Sequence, residues 1–224
     1  MILIVGPEGS GRMRMLRSAI AVARQSGWRS YGGSFGGEAG LGILLTIADE
    51  ITRSLEPGYE IPEMELDENL QTGSVQEQLF NHLTSAVVSR CRSDAAPVVL
   101  GLGDLHRASP MALDALSHLR HQVRKLEAPV LFVATAPDDS DAPGTAIRQR
   151  LPDAWRVELK PLSPPEVQRL IQSMLGGRPM KMPLVRQIHR VTGGMPGFVG
   201  EVLRAMVQGK LIESKQTPEG LEGL

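Results

Sequence analysis

The residues best suited to chemistry lie in the first stretch, where Gly6-Pro7-Glu8-Gly9-Ser10-Gly11 is followed by Arg12 and Met13. A G-x-x-x-x-G turn between a strand and a helix is an arrangement that cradles phosphate. Its glycines let backbone N–H groups point inward, and the helix N-terminus adds partial positive charge. Chemistry on a nucleotide asks in addition for a lysine and then a serine or threonine after the last glycine, the hydroxyl holding magnesium. Arg12 keeps the positive charge on a bulkier planar fork, and Met13 offers a thioether that does not suit a hard cation. The spacing therefore predicts a phosphate-site scaffold that lacks two reactive side chains. The bland alternative is a strand–turn–helix that binds nothing. A half-buried guanidinium needs partners, so Arg12 is expected to reach an acidic neighbour such as Glu8 or Asp104 when no ligand is present.

The elements that must position these residues follow from apolar patterning. Ile2 to Val5 is a short apolar run ending at Gly6, and Met13, Leu16, Ile20 and Ala23 then recur at helical spacing up to Gln25. Trp28 to Phe35 is a second strand candidate weakened by glycines, and Gly36 to Gly42 a glycine-rich link to a helix over 41–55. Residues 56–74 carry Glu56, Glu60, Glu63, Glu65, Asp67 and Glu68 without a basic residue, and read as an exposed acidic loop. Such a loop serves either as a partner-binding lid or as a solvated insertion, the commoner case for a charge run. A helix is expected over 75–92, strands over 97–102 and 129–135, and between those strands a helix over 110–126 capped by Ser109 with Pro110 at its first position. Pro137 to Gly144 reads as a polar turn region, and Trp155 to Leu159 as a fifth strand.

Strands alternating with helices predict a parallel α/β sheet. After Lys160 the strand pattern stops. Ser163-Pro164-Pro165-Glu166 is a helix start, and helices are expected over 165–175, 183–191 and 197–208. The predicted organisation is an α/β core over residues 1–160, a helical lid subdomain over 161–213 and a flexible tail over 214–224.

The 224 residues, 42% hydrophobic and 22% charged, suit a globular protein with a sizeable core. A net charge of −1 gives no global field toward nucleic acid or membrane. The helical segment is locally basic, with Lys160, Arg169, Arg178, Lys181, Arg186, Arg190, Arg204 and Lys210 facing Glu166 and Glu201. Nucleic-acid contact through it is one reading, and a solvated helix surface the other. The single cysteine, Cys91, excludes an internal disulfide framework and fits a reducing cytoplasm. No apolar run approaches the ~18 residues that span a bilayer, so no membrane association is expected. The chain begins directly on a strand, which suggests a piece of a longer protein.

Three further segments line up with the turn: Pro97 to Pro110 (PVVLGLGDLHRASP), Pro161 to Gly177 (PLSPPEVQRLIQSMLGG) and Thr192 to Leu203 (TGGMPGFVGEVL). Together they resemble the signal-transduction ATPases with numerous domains (STAND), an AAA+-related class of P-loop ATPase. The nearest likeness is to the modules that precede tetratricopeptide repeats in bacterial transcription regulators and in some kinase-linked regulators. The resemblance covers nearly the whole chain. It implies a five-stranded parallel P-loop NTPase sheet flanked by helices and followed by a small helical lid, with ATP or ADP held at Gly6, Pro7, Glu8, Gly9, Ser10, Gly11, Arg12 and Met13 and with Pro196 near the base. It also implies that Asp104 stands where the family has its water-activating carboxylate and Thr135 at its polar sensor, while Gly103 occupies the metal-orienting acidic position. Neighbouring strand residues face opposite ways, so Asp104 takes over that role only if the backbone turns there. His106 matches the family's histidine, and Arg148 or Arg150 is a candidate trans-acting finger.

The expectation is a degenerate module, a pseudo-ATPase with degenerate Walker A and Walker B motifs. It would be a bacterial signalling or protein-interaction domain with weak or no ATP binding, no significant hydrolysis and no magnesium. Its partners are expected to be other domains of a parent protein or a separate protein, with homo-oligomers open and nucleic acid disfavoured. The alternatives are a working ATP/ADP-dependent switch or slow ATPase that uses Arg12 and Asp104, and a nucleic-acid-binding module working through the basic lid.

Overall fold

The structure, a computed structural model, describes residues 1–36, 42–55, 72–93, 96–138 and 142–212. The elements in chain order are β1 (Ile2–Val5), α1 (Arg12–Gln25), β2 (Arg29–Ser34), α2 (Gly42–Leu55), α3 (Thr72–Ser93), β3 (Val98–Gly103), a 3₁₀ turn (Leu105–Arg107), α4 (Pro110–Lys125), β4 (Val130–Ala136), α5 (Ala142–Arg150), β5 (Trp155–Glu158), α6 (Pro164–Met174), α7 (Met182–Thr192) and α8 (Pro196–Gln208). Most of the acidic segment 56–74, the link over 37–41, the centre of the turn region 137–144 and the tail from 213 lie outside the described residues.

The strands form one five-stranded, all-parallel sheet in the order β2-β3-β4-β1-β5, flanked by helices. β3 lies between β2 and β4 and is buried along its whole length, which is why its sequence is a continuous run of apolar residues and glycine. Its register aligns Val98 with Arg29 and Val130, and Gly103 with Ser34. β5 is an edge strand, half-buried only at its centre, and Trp155 at its start is 74% exposed.

Two sequence expectations shift. α3 starts at Thr72 rather than at 75, so its first turn begins within the stretch read as acidic loop. Residues 142–150 form a helix, α5, where a polar turn was expected as far as Gly144. Pro143 sits in the first helical turn, where its missing N–H costs nothing, and Ile147 is the large apolar side chain that the helix buries.

Two compact units divide the chain: Met1–Ile4 with Met15–Val157, and Val5–Arg14 with Glu158–Leu224. The first has its core in the sheet and on α2 and α4, where Ile47, Ile51, Leu100, Leu102, Leu116 and Leu119 are almost fully buried. Ser109 caps α4 as expected, its Oγ accepting from the Ala112 amide at 3.2 Å. In the second unit Val167, Ile171, Met174, Val185, Ile188, Val199 and Leu203 form a separate core among α6, α7 and α8. The i, i+3, i+4 spacing within each helix turns one apolar stripe inward. α6 begins with Glu166 reaching back to Ser163, accepting from its amide at 2.8 Å and its hydroxyl at 2.6 Å. These bonds favour the charged form and hold the Glu166 carboxyl below its ordinary value, the Ser163 hydroxyl being the larger cause. Among the described residues no helix is long and apolar enough to cross a membrane.

Candidate functional site

The candidate residues lie in both units. In the second, the glycine-rich turn closes with the Ser10 amide donating to the Pro7 carbonyl at 3.2 Å. Gly9 has φ 76° and Gly11 φ 91°, positive values that favour glycine. A side chain at Gly11 would meet nothing within 4 Å, so the turn is open there. The Ser10 side chain is buried, 7% exposed, and its hydroxyl has no hydrogen-bond partner. α1 then starts at Arg12, placing the positive end of its dipole at the turn.

Arg12 is half-buried and turns back to donate from Nη1 to the carbonyl of Gly6, within its own turn. The guanidinium thus finds a backbone acceptor instead of the expected carboxylate, and Glu8 is exposed. A carbonyl six residues upstream is within reach of a folded-back arginine, which sequence spacing does not reveal. Met13 is half-buried in the first turn of α1.

The start of α8 is seated on this turn. Pro196 opens α8, Met195 precedes it, and the Gly197 amide donates to the Gly9 carbonyl at 2.8 Å. A Cβ at Gly9 would lie 3.4 Å from Met195 Cβ and from two Phe198 ring carbons, and one at Gly197 would lie 3.1 Å from Gly9 Cα. Backbone meets backbone at Gly197, where a side chain would crowd the main chain of Gly9. Pro196 was expected near a nucleotide base, and Gly197 and Phe198 had no expected role, although a glycine directly after the helix-opening proline is the sequence sign of such an approach.

In the first unit the strand ends meet around Asp104. The backbone does turn there: Asp104 has φ 52° and ψ 46°, leaving the strand in the left-handed region. Its amide donates to Thr135 Oγ1 at 2.9 Å, and its Oδ2 accepts from Ser34 Oγ at 2.7 Å. Thr135 is fully buried. The Phe35 amide donates to the Gly103 carbonyl at 2.9 Å, extending the β2–β3 ladder past its last paired strand residues. Asp104 and Thr135 therefore stand together, with Ser34 as a third member whose position gave no sequence signal. His106 lies half-buried in the 3₁₀ turn. Arg150 donates from Nε to Asp114 Oδ1 at 2.9 Å, an ion pair between α5 and α4.

Residues 163–217 match the family model described as a domain of unknown function, DUF8739. No curated protein matches the chain. Among solved structures, Cdc6p from Pyrobaculum aerophilum is 15% identical with a TM-score of 0.61, over 93% of this chain and 56% of that one. AMPPCP-bound DnaA from Aquifex aeolicus is 16% identical with a TM-score of 0.56, over 99% and 57%. The HORMA:CdnC:Trip13 complex from E. coli MS115-1 gives 13% identity and a TM-score of 0.59, over 98% and 71%. The chain thus spans a little over half the length of the first two. The fold is that of the AAA+ ATPases, a five-stranded parallel sheet with flanking helices and a helical C-terminal part.

Proposed function

We propose that this chain is a regulatory, protein-interaction module built on an AAA+ ATPase-type scaffold, of the STAND kind, that binds ATP or ADP weakly and does not turn it over. The observation that carries this reading is Arg12, the residue at the lysine position, whose guanidinium is bonded to the carbonyl of Gly6. One of the five guanidinium N–H donors is thereby taken by the turn itself, and the planar fork does not reproduce the compact charge of a lysine.

The residues present fit a phosphate group better than a metal. The left-handed Gly9 and Gly11, the buried Ser10 hydroxyl without a partner and the amides that open α1 would hold the anion. Each hydrogen bond to a charged group contributes roughly 1.5–3 kcal/mol. At the positions that would hold magnesium the chain has the Met13 thioether and the hydrogen of Gly103, neither a ligand for a hard cation. A bound nucleotide would supply a phosphate chain whose charge this scaffold compensates through backbone dipoles alone. Removing one preorganised donor costs on the order of 100-fold to 1,000-fold in rate, and here the lysine, the hydroxyl and the carboxylate are all replaced. The bond from Asp104 to Ser34 supports a structural role for that carboxylate, as the bond from the Asp104 amide does for Thr135.

The partner in this reading is another domain of a longer bacterial protein or a separate cytoplasmic protein, with no nucleic acid. Calorimetric titration of ATP and ADP with and without magnesium, beside a phosphate-release assay, tests it. Weak binding with no magnesium gain and no release is expected. Micromolar affinity that tightens tenfold with magnesium, a gain of about 1.4 kcal/mol, would overturn it.

The second reading, a nucleotide-dependent switch or slow ATPase, draws on the open space at Gly11 and the Ser10 hydroxyl. Magnesium-dependent phosphate release that disappears in Asp104→Asn would select it.

A further inference from the structure

A concave cavity of about 670 Å³ lies at the amino ends of β1, β4 and β5, where Met1, Ala128 and Asp153 reach its wall. That is the end of the sheet remote from Asp104, which follows the carboxyl end of β3. The cavity belongs wholly to the first unit and shares no residue with the glycine-rich turn.

Its lining is unusually basic for a chain of near-zero net charge. Arg120 and Arg124 stand one turn apart on α4, and Arg150 closes α5, steered by its 2.9 Å bond to Asp114. Ser117, His121 and Gln149 add polar groups, and Asp153 is the only carboxylate among the lining residues. Guanidiniums at i and i+4 repel each other. Burial pushes the Arg120 guanidinium down from its ordinary value. Asp153 opposes that shift, and Arg124 adds to it. Arg120 is therefore a partly desolvated cation beside a like charge, with too little anion to balance the pair. A solvated basic surface spreads such charges over a convex face, where water screens them. Here they converge on a hollow of the size that takes small molecules.

We propose that this cavity is an anion site for a small phosphate-bearing molecule, held by Arg120, Arg124 and Arg150. Asp114 already pairs with Arg150, and Asp153 offsets one of the other two guanidiniums, so a net positive charge is left on the Arg120 and Arg124 forks, which the several acceptor oxygens of a phosphate can satisfy together. The planar guanidinium fork pairs with phosphate oxygens through two parallel hydrogen bonds. The site is independent of the glycine-rich turn, so the proposal stands or falls apart from the reading of that turn.

The test follows the imidazole proton resonances of His121, a cavity-lining residue, while inorganic phosphate or pyrophosphate is added to the whole chain at constant ionic strength and pH. Chloride serves as the control. Saturable shifts with phosphate and pyrophosphate, absent with chloride, are expected. Arg120→Gln with Arg124→Gln should weaken the response at least tenfold, about 1.4 kcal/mol. Arg12→Gln, in the glycine-rich turn, should leave it unchanged. If the double variant fails to fold, the single Arg124→Gln decides, since that side chain is exposed and its loss should weaken binding without unfolding the chain. Three results would overturn the proposal: no saturation beyond chloride, an affinity unchanged by Arg124→Gln, or a response abolished by Arg12→Gln. A shift produced by duplex DNA and by neither small anion would also overturn it, in favour of a polymer.

Discussion

The carbonyl of Gly9 accepts the amide of Gly197 at 2.8 Å, so the first turn of α8 is fastened to the middle of the glycine-rich turn by main chain alone. The bond uses one of the amides that a helix N-terminus otherwise leaves unpaired. It also brings Gly197 so close to Gly9 that a methyl group at Gly197 has no room without movement of backbone, whereas Gly9 is favoured by its left-handed φ of 76°.

Gly197→Ala should therefore destabilise the second unit. The new Cβ would sit 3.1 Å from Gly9 Cα and 3.2 Å from its carbonyl oxygen, both backbone atoms that cannot rotate away. Overpacking of this kind costs typically about 1–3 kcal/mol. Gly200→Ala, three residues on, is the control. Its Cβ would meet the ends of the Met174 and Arg204 side chains at 3.5 Å and 3.6 Å, ordinary contact. Helix propensity then favours alanine by roughly 0.5–1 kcal/mol. Denaturant melts should move in opposite directions for the two variants, and equal shifts would refute the close-approach account.

At Asp104 a conformational role and a bonding role can be separated. Its φ of 52° is costly for most side chains and mild for asparagine or glycine. Asp104→Asn keeps both the turn and an oxygen for Ser34, and should change stability by less than about 0.5 kcal/mol. Asp104→Ala gives up both and should cost about 1–2 kcal/mol. Thr135→Val removes the acceptor of the Asp104 amide while preserving shape, at about 1–3 kcal/mol for the orphaned donor. Urea unfolding ranks the three, and an alanine variant as stable as the asparagine variant would show that the left-handed turn carries no strain.

These contrasts mark what the sequence could and could not reveal. β3 was legible because a strand buried along its whole length can be written only in apolar residues and glycine. α4 was legible because Ser109 and Pro110 announce its start. α5 was hidden, since Pro143 and Gly144 read as breakers and Ile147 alone makes no periodic stripe. The glycine-rich turn itself stood out, but the partner that Arg12 takes did not, because a guanidinium reaches in many directions and spacing fixes none of them. The tie from Ser34 to Asp104 joins residues 70 apart in sequence, with no pattern to link them. Long-range polar pairs are settled by strand order, which the alternation of strands and helices does not reveal.

The start of α6 gives a pH prediction. The Glu166 carboxyl is held below its ordinary value by the Ser163 hydroxyl and amide. A depressed carboxylate contributes stability above its unfolded value of about 4.3, and that stability is lost as pH falls through the lower folded value. Wild type should therefore melt above Glu166→Gln at neutral pH, with the gap closing below about pH 4. Thermal scans of both proteins across pH 3–7 check this, and a gap that stays constant through the acidic range would assign the effect to something other than the carboxylate's charge.

The last prediction concerns repair of the glycine-rich turn. If the scaffold is sound and only side chains are missing, Arg12→Lys, Met13→Ser and Gly103→Asp together should confer magnesium-dependent ATP binding. Arg12→Lys removes the guanidinium bonded to Gly6 and restores a compact cation. Met13→Ser places a hydroxyl in the first turn of α1, and Gly103→Asp a carboxylate at the end of β3. Gly103 is extended strand paired with Ser34, so its backbone accepts a side chain, but it is buried, and an aspartate there must find a cation to offset desolvation. Each change alone should do little if lysine, hydroxyl and carboxylate act on one metal–phosphate unit, as the family resemblance implies, since the effects of such groups are non-additive. Gly103→Asp alone should be the least stable of the singles, and magnesium with ATP should raise the melting temperature of the triple variant more than that of any single one. Calorimetry with and without magnesium reads the outcome. A folded triple variant that still ignores ATP would place the loss in the backbone, with the bond from Gly197 to Gly9 as the first suspect. Gly197→Ala in that background would then be the change expected to release the turn.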